Sequence, residues 1–120
     1  MINIKLKPLL PTLRERKRYM VYEVISEKPI KDFSLIKNKL YNDAKVFLGE
    51  YGMSQTSLKI LPEKYNMNTQ RGIMRMSHTA VNQIKSALLF VQHIEKEPVI
   101  VRSIAVSGTI KKASLCLRGG

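Results

Sequence analysis

The chain has 120 residues, 44% of them hydrophobic, and a formal net charge of +12, with Lys+Arg 21 against Asp+Glu 9. That length suits one domain with a single core, and no apolar run approaches the roughly 20 residues of a bilayer-spanning helix, which argues against a membrane protein. One cysteine, Cys116, excludes an intramolecular disulfide and supplies no metal-site spacing. With no basic region followed by a long apolar segment and a cleavage site, the expected location is cytoplasmic.

Pro8 and Pro11 mark the first residues as an extended arm. Thr12-Leu13-Arg14-Glu15 fits a capping box opening a short basic helix or turn to about Arg18. Tyr19–Ser26 then alternates as a strand, with Met20, Tyr22 and Val24 on one face and Tyr19, Val21, Glu23 and Ile25 on the other. Both faces are largely apolar, which predicts a central position in a sheet. Asp32 is a helix cap, followed by the stripe Phe33, Ile36, Leu40, Ala44, Phe47, Leu48 and Tyr51, with Gly52 as the expected stop. Leu58, Ile60 and Pro62 predict a short second strand, with proline at its end or edge.

Asn66, Asn68 and Thr69 are turn formers. They lead into a third strand, Arg71–Ser77, where Arg75 faces away from Met74 and Met76. Gly72, lacking a Cβ, leaves room there for a backbone or a phosphate. From Thr79 a second helix buries Ala80, Val81, Ile84, Ala87, Leu88, Val91 and Ile94 and stops before Pro98. A last strand spans Val99 to about Val106, broken by Gly108, and a basic tail follows with no assigned structure.

Strand, helix, strand, strand, helix, strand predicts one α+β domain over 1–120: a ferredoxin-like two-layer sandwich, with a four-stranded antiparallel sheet, helices on one face, and strands one and three central. The positive charge is clustered. Lys5, Lys7, Arg14, Arg16, Lys17 and Arg18 crowd the N-terminal arm against Glu15; Lys59, Lys64, Arg71, Arg75 and Lys85 occupy the middle against Glu63; Arg102, Lys111, Lys112 and Arg118 lie toward the other end with no acid. Such clustering is the electrostatic footprint of nucleic-acid binding. An RNA-recognition motif would carry stacking aromatics on its third strand after a basic-glycine start. Arg71-Gly72 supplies the start, but Ile73, Arg75 and Ser77 stand where rings are needed, so phosphate contact rather than base stacking is expected.

Catalytic signals are weak. His78 and His93 have no acidic or thiol partner at ligand spacing. Glu23 and Glu27 share a strand face, yet amid this much basic charge they read as salt-bridge partners rather than an acid/base pair. No activated nucleophile or phosphate loop is present, so neither catalytic nor metal residues are assigned.

Three blocks carry a resemblance: Pro11-Thr12-Leu13-Arg14-Glu15-Arg16-Lys17-Arg18-Tyr19 entering Glu23-Val24-Ile25-Ser26-Glu27; Asn68-Thr69-Gln70-Arg71-Gly72-Ile73-Met74-Arg75; and Ser103-Ile104-Ala105-Val106-Ser107-Gly108-Thr109-Ile110-Lys111-Lys112. In this order they resemble the ribonuclease P protein component 2 family, archaeal relatives of the eukaryotic Pop-five subunit. The resemblance implies a subunit of a ribozyme that removes 5′ leaders from precursor tRNA. The RNA would carry the chemistry and the magnesium ions, and a TIM-barrel-like protein subunit would be the partner. The chain alone is then not an enzyme. The RNA-binding candidates are Arg14, Arg16, Lys17, Arg18, Arg71, Arg75, Lys111 and Lys112.

The sheet face away from the helices is expected to be open and apolar, which makes Tyr19, Val21, Ile25, Val101 and Ile104 candidates for docking that partner or a second copy. The competing arrangement folds the arm or the tail back over that face. The alternative function is a protein-interaction adaptor, or a small regulatory domain, with no specific RNA target.

Overall fold

The computed structural model describes residues 16–118. Strand β1 (Lys17–Ser26) leads to helix α1 (Phe33–Thr56), β2 (Lys59–Asn66) and β3 (Arg71–Ser77). A 3-10 turn, His78–Ala80, then opens α2 (Val81–Leu89), which is followed by β4 (His93–Ile94) and β5 (Glu97–Ser107). The described chain closes with α3 (Ile110–Ser114) and a second 3-10 turn, Leu115–Arg118. The strands form one antiparallel sheet in the order β2-β3-β1-β5-β4. The architecture is α+β as expected, but with five strands rather than four, because Ile94 and His93 pair with Glu97 and Pro98 in a two-residue edge ladder.

The alternation along β1 sorts its side chains as the sequence predicts. Met20, Tyr22 and Val24 join Met74, Met76, Ile60, Val99 and Val101 in the main core, packed on Ile36, Leu40, Ile84 and Leu88 of α1 and α2. Gly72 faces Tyr22 across the ladder. A Cβ at Gly72 would collide with the Tyr22 hydroxyl and come within 2.6 Å of its ring. The missing side chain therefore makes room for a tyrosine ring, not for a phosphate.

Asp32 caps α1, its Oδ1 accepting from the Ser34 amide at 2.9 Å and the Ser34 hydroxyl at 2.6 Å. Gly52 does not stop this helix. The chain bends instead at Gly49, whose φ of 79° and ψ of 168° suit only glycine. The helix continues beyond the kink because Met53 and Thr56 are then buried. Of the two places expected for Pro62, the edge is the one observed: β2 is the outermost strand, where a missing N–H breaks no ladder. The second helix stops at Leu89, short of the expected boundary. Val91 and Ile94 reach the core from the connection and from β4.

The largest departure is on the second face. Expected open, it carries α3 and the turn after it. Ala113 packs on Val21, Leu61 and Ile73, with Tyr19, Ile104, Ile110, Cys116 and Leu117 around them. The competing arrangement, the tail folding back, is the one observed. Lys17 and Arg18 belong to β1 rather than to a basic helix, Arg16 just before it is in no helix, and residues 12–15 of that segment lie outside the described residues.

Candidate nucleic-acid interface

Residues paired across antiparallel strands point to the same side of a sheet, so the register lays out the second face as rows. At one end Lys59, Arg75, Tyr19 and Ser107 stand in line across β2, β3, β1 and β5. Next come Leu61, Ile73, Val21 and Ala105, the row beneath Ala113. The third row is Arg71, Glu23 and Arg102, and the last is Ile25 beside Ile100. A bulge between Val21 and Tyr22 in the β1–β5 pairing leaves Ile104 as the extra residue. This bulge brings Arg102, rather than its neighbour, opposite Glu23.

The Glu23 row is fully paired. One carboxylate oxygen accepts from Arg71 Nε at 3.1 Å. The other accepts from Arg102 Nε at 2.9 Å and lies 2.8 Å from Arg102 Nη2. Burial pushes the Glu23 carboxyl up, but the hydrogen bonds from Arg102 and Arg71 outweigh it and hold the group below the usual carboxylate range. Arg71 also donates from Nη1 to the Cys116 carbonyl at 2.8 Å. The Thr69 hydroxyl donates to the Leu117 carbonyl at 2.8 Å, and the Asn66 amide reaches the same oxygen at 3.3 Å. This end of the face is thus a clamp that fastens the C-terminal segment to the sheet.

The Arg75 row is different. Arg75 Nε is buried without a hydrogen-bond partner, and its cross-strand neighbour Lys59 is exposed and carries the same charge. Among the described residues, the carboxylate ion pairs involve Lys39, Arg71 and Arg102, not this row.

The RNA-binding candidates scatter accordingly. Arg14 lies outside the described residues. Arg16 is exposed, while Lys17 and Arg18 are partly buried at the start of β1, with Arg18 Nη1 donating to the Lys17 carbonyl. Lys111 and Lys112 are exposed on α3. Arg71 and Arg75 share a face but sit in different rows, one neutralised and one bare.

Of the partner candidates, Val21 is 0% exposed, and Tyr19 and Ile104 belong to the same covered cluster. Val101 points into the main core, since the bulge reverses parity along β5. Only Ile25 remains open, beside Ile100, whose exposure is 61%. With Ser26, Glu27, Pro98 and Val99 they line a largely apolar depression of about 300 Å³.

The sequence reading missed three residues. In the sequence Arg102 and Lys59 are two basic residues among many, and only the register assigns them opposite fates. Gln70, buried with φ 52°, is the third. Its side chain accepts from the Ile30 amide at 2.7 Å and donates to the Val24 carbonyl at 2.8 Å, pinning the loop after β1. No spacing rule announces it.

Residues 18–117 match the model of the Rpp14/Pop5 family. The protein of Pyrococcus horikoshii named Ribonuclease P protein component 2 is 34% identical over 110 residues, covering 90% of this chain and 88% of its own. A protein of the same name from Methanosarcina mazei is 32% identical over 109 residues, covering 91% of this chain and 90% of its own. A chain in the cryo-EM structure of yeast ribonuclease MRP shares the fold, with a TM-score of 0.61 and 14% identity over 88% of each chain. The matched span runs from the start of β1 through the segment that covers the second face: the chain belongs to the Rpp14/Pop5 family.

Proposed function

We propose that this chain is a protein subunit of ribonuclease P that binds the RNA of the complex and supports its removal of 5′ leaders from precursor tRNA. The observation that carries this reading is the likeness, over about nine-tenths of both chains, to relatives named Ribonuclease P protein component 2. The clustered basic charge and the bare Arg75 row support it, because a row of unneutralised cations suits a phosphate backbone. In this reading the RNA and its magnesium ions perform the cleavage, and the protein positions and neutralises RNA in the cytoplasm.

A TIM-barrel-like subunit or a second copy of the chain would dock where apolar surface is open, at Ile25, Pro98 and Ile100. Tyr19, Val21 and Ile104 would support that contact from beneath the C-terminal segment rather than form it. Cleavage of precursor tRNA by the reconstituted complex, with and without this chain at moderate magnesium, tests the reading. A clear gain on addition is expected, and equal rates would overturn it. Changing Ile100 to Asp is expected to weaken association with the protein partner while leaving thermal stability nearly intact.

A further inference from the structure

The two arginines of β3 look equivalent in the sequence, four residues apart on one face. We infer that they have separate jobs, and that the phosphate seat of this face is formed by Arg75 with Lys59, whereas Arg71 is withheld from ligand by Glu23 and the C-terminal segment. The inference rests on the RNA-binding reading above and deepens it to one site and one ligand group, a phosphodiester.

Three observations converge. First, Lys59 and Arg75 are direct cross-strand neighbours, and like charges in that position destabilise a sheet. Second, Arg75 Nε is buried and unbonded, whereas guanidinium donors removed from water are ordinarily satisfied. An anion accepting from the outer nitrogens of the Arg75 guanidinium would offset the charge of both side chains, while Nε stays closed to water inside the protein. Third, Arg71 shows neither defect. Its Nε meets Glu23 at 3.1 Å and its Nη1 meets the Cys116 carbonyl at 2.8 Å.

A nucleic-acid phosphate fits better than a bound carboxylate side chain. Exposed Arg16, Lys111 and Lys112 extend positive charge along the same chain, and no aromatic beyond Tyr19 shares the row to favour a base or a ring.

The test uses the full chain labelled with nitrogen-15. The arginine Nε–Hε resonances are followed while inorganic phosphate, and then a short oligoribonucleotide, is added at low salt. The Arg75 resonance is expected to move with both ligands and the Arg71 resonance with neither. Affinity for the oligoribonucleotide is then measured against salt for Arg75→Gln, Arg75→Lys and Arg71→Gln. Arg75→Gln should lower the salt slope by about 0.7–0.9 and weaken all sequences alike. Arg75→Lys should keep the slope, because the charge at that position is kept. Arg71→Gln should leave the slope unchanged and lower the melting temperature instead.

RNA binding with an unmoved Arg75 resonance would overturn the seat and leave the RNA reading standing. Response to inorganic phosphate without RNA binding would keep the seat and overturn that reading. Equal slope losses for Arg71→Gln and Arg75→Gln would overturn the division of labour.

Discussion

Two rows of the second sheet face are built from the same materials, two basic side chains each, and differ by one carboxylate: Arg71 and Arg102 flank β1 in one, while Lys59 and Arg75 sit side by side on β2 and β3 in the other. At the Glu23 end, Arg71 and Arg102 converge on that carboxylate, and the spare donor of Arg71 holds a backbone carbonyl. At the Arg75 end, the cross-strand pair is two cations with an unbonded nitrogen. Between them lies the apolar row under Ala113, which belongs to the protein's own fold. Basic charge on a sheet is therefore two different things. Where an acid completes it, it is structural; where none does, like charges stand side by side at a cost in stability.

The strongest way to break the comparison is to remove the divider. Val21→Asp would place a charge where exposure is 0%. A loss on the order of 3 kcal/mol or more is expected, measured by urea unfolding. Near-normal stability would mean that the C-terminal segment does not seal the row.

Next in size is Glu23→Gln, which strips the carboxylate from both arginines. About 1–3 kcal/mol should be lost, with faster proteolysis of the C-terminal segment. The effect depends on pH in a fixed direction. The folded-state pKa of Glu23 is lowered, so its contribution is present above the ordinary carboxylate range and is lost as pH falls through the lowered value. Melting curves of the native chain and of Glu23→Gln should converge in acid and separate toward neutrality.

A smaller loss follows from Thr109→Ala. The Thr109 hydroxyl accepts from the Lys112 amide at 3.3 Å and caps α3. Removing it should cost about 1 kcal/mol, read as a modest fall in melting temperature with RNA affinity little changed.

The smallest effect has the opposite sign and sharpens the contrast most. Lys59→Glu turns the bare row into a copy of the paired one. Stability should rise by about 0.2–1 kcal/mol while RNA affinity falls. A variant that is both less stable and equally tight would erase the distinction between the two ends.

Much of this was legible in the residues. The stripe predicted from Phe33 to Tyr51 holds through Ala44 but leaves Phe47 and Tyr51 exposed, and the parity of Met20, Tyr22 and Val24 follows from the strand period, because a buried core enforces it. Boundaries were less legible. A glycine can stop a helix or kink it, and what decided for the kink at Gly49 was the burial of Met53 and Thr56 further along. The parity of Val101 was hidden by a bulge, which no local residue type announces.

Helix α3 was nearly visible. Ile110, Ala113 and Leu117 keep helical spacing behind a threonine cap. The helix itself holds only five residues, with Leu117 in the 3-10 turn after it, so tertiary burial supplies what propensity does not. The clamp was out of reach of sequence reading, since its pairs join residues 45 to 79 positions apart.

The covering of the second face also has a calendar. Val21, Leu61 and Ile73 are all synthesised before Ala113 and Leu117, which shield them. At roughly 5–20 residues per second, an emerging chain completes β3 on the order of seconds before its cover exists. During that interval the apolar stripe has no cover in the chain yet made, and one border of it, Lys59 beside Arg75, already carries charge that no acid offsets.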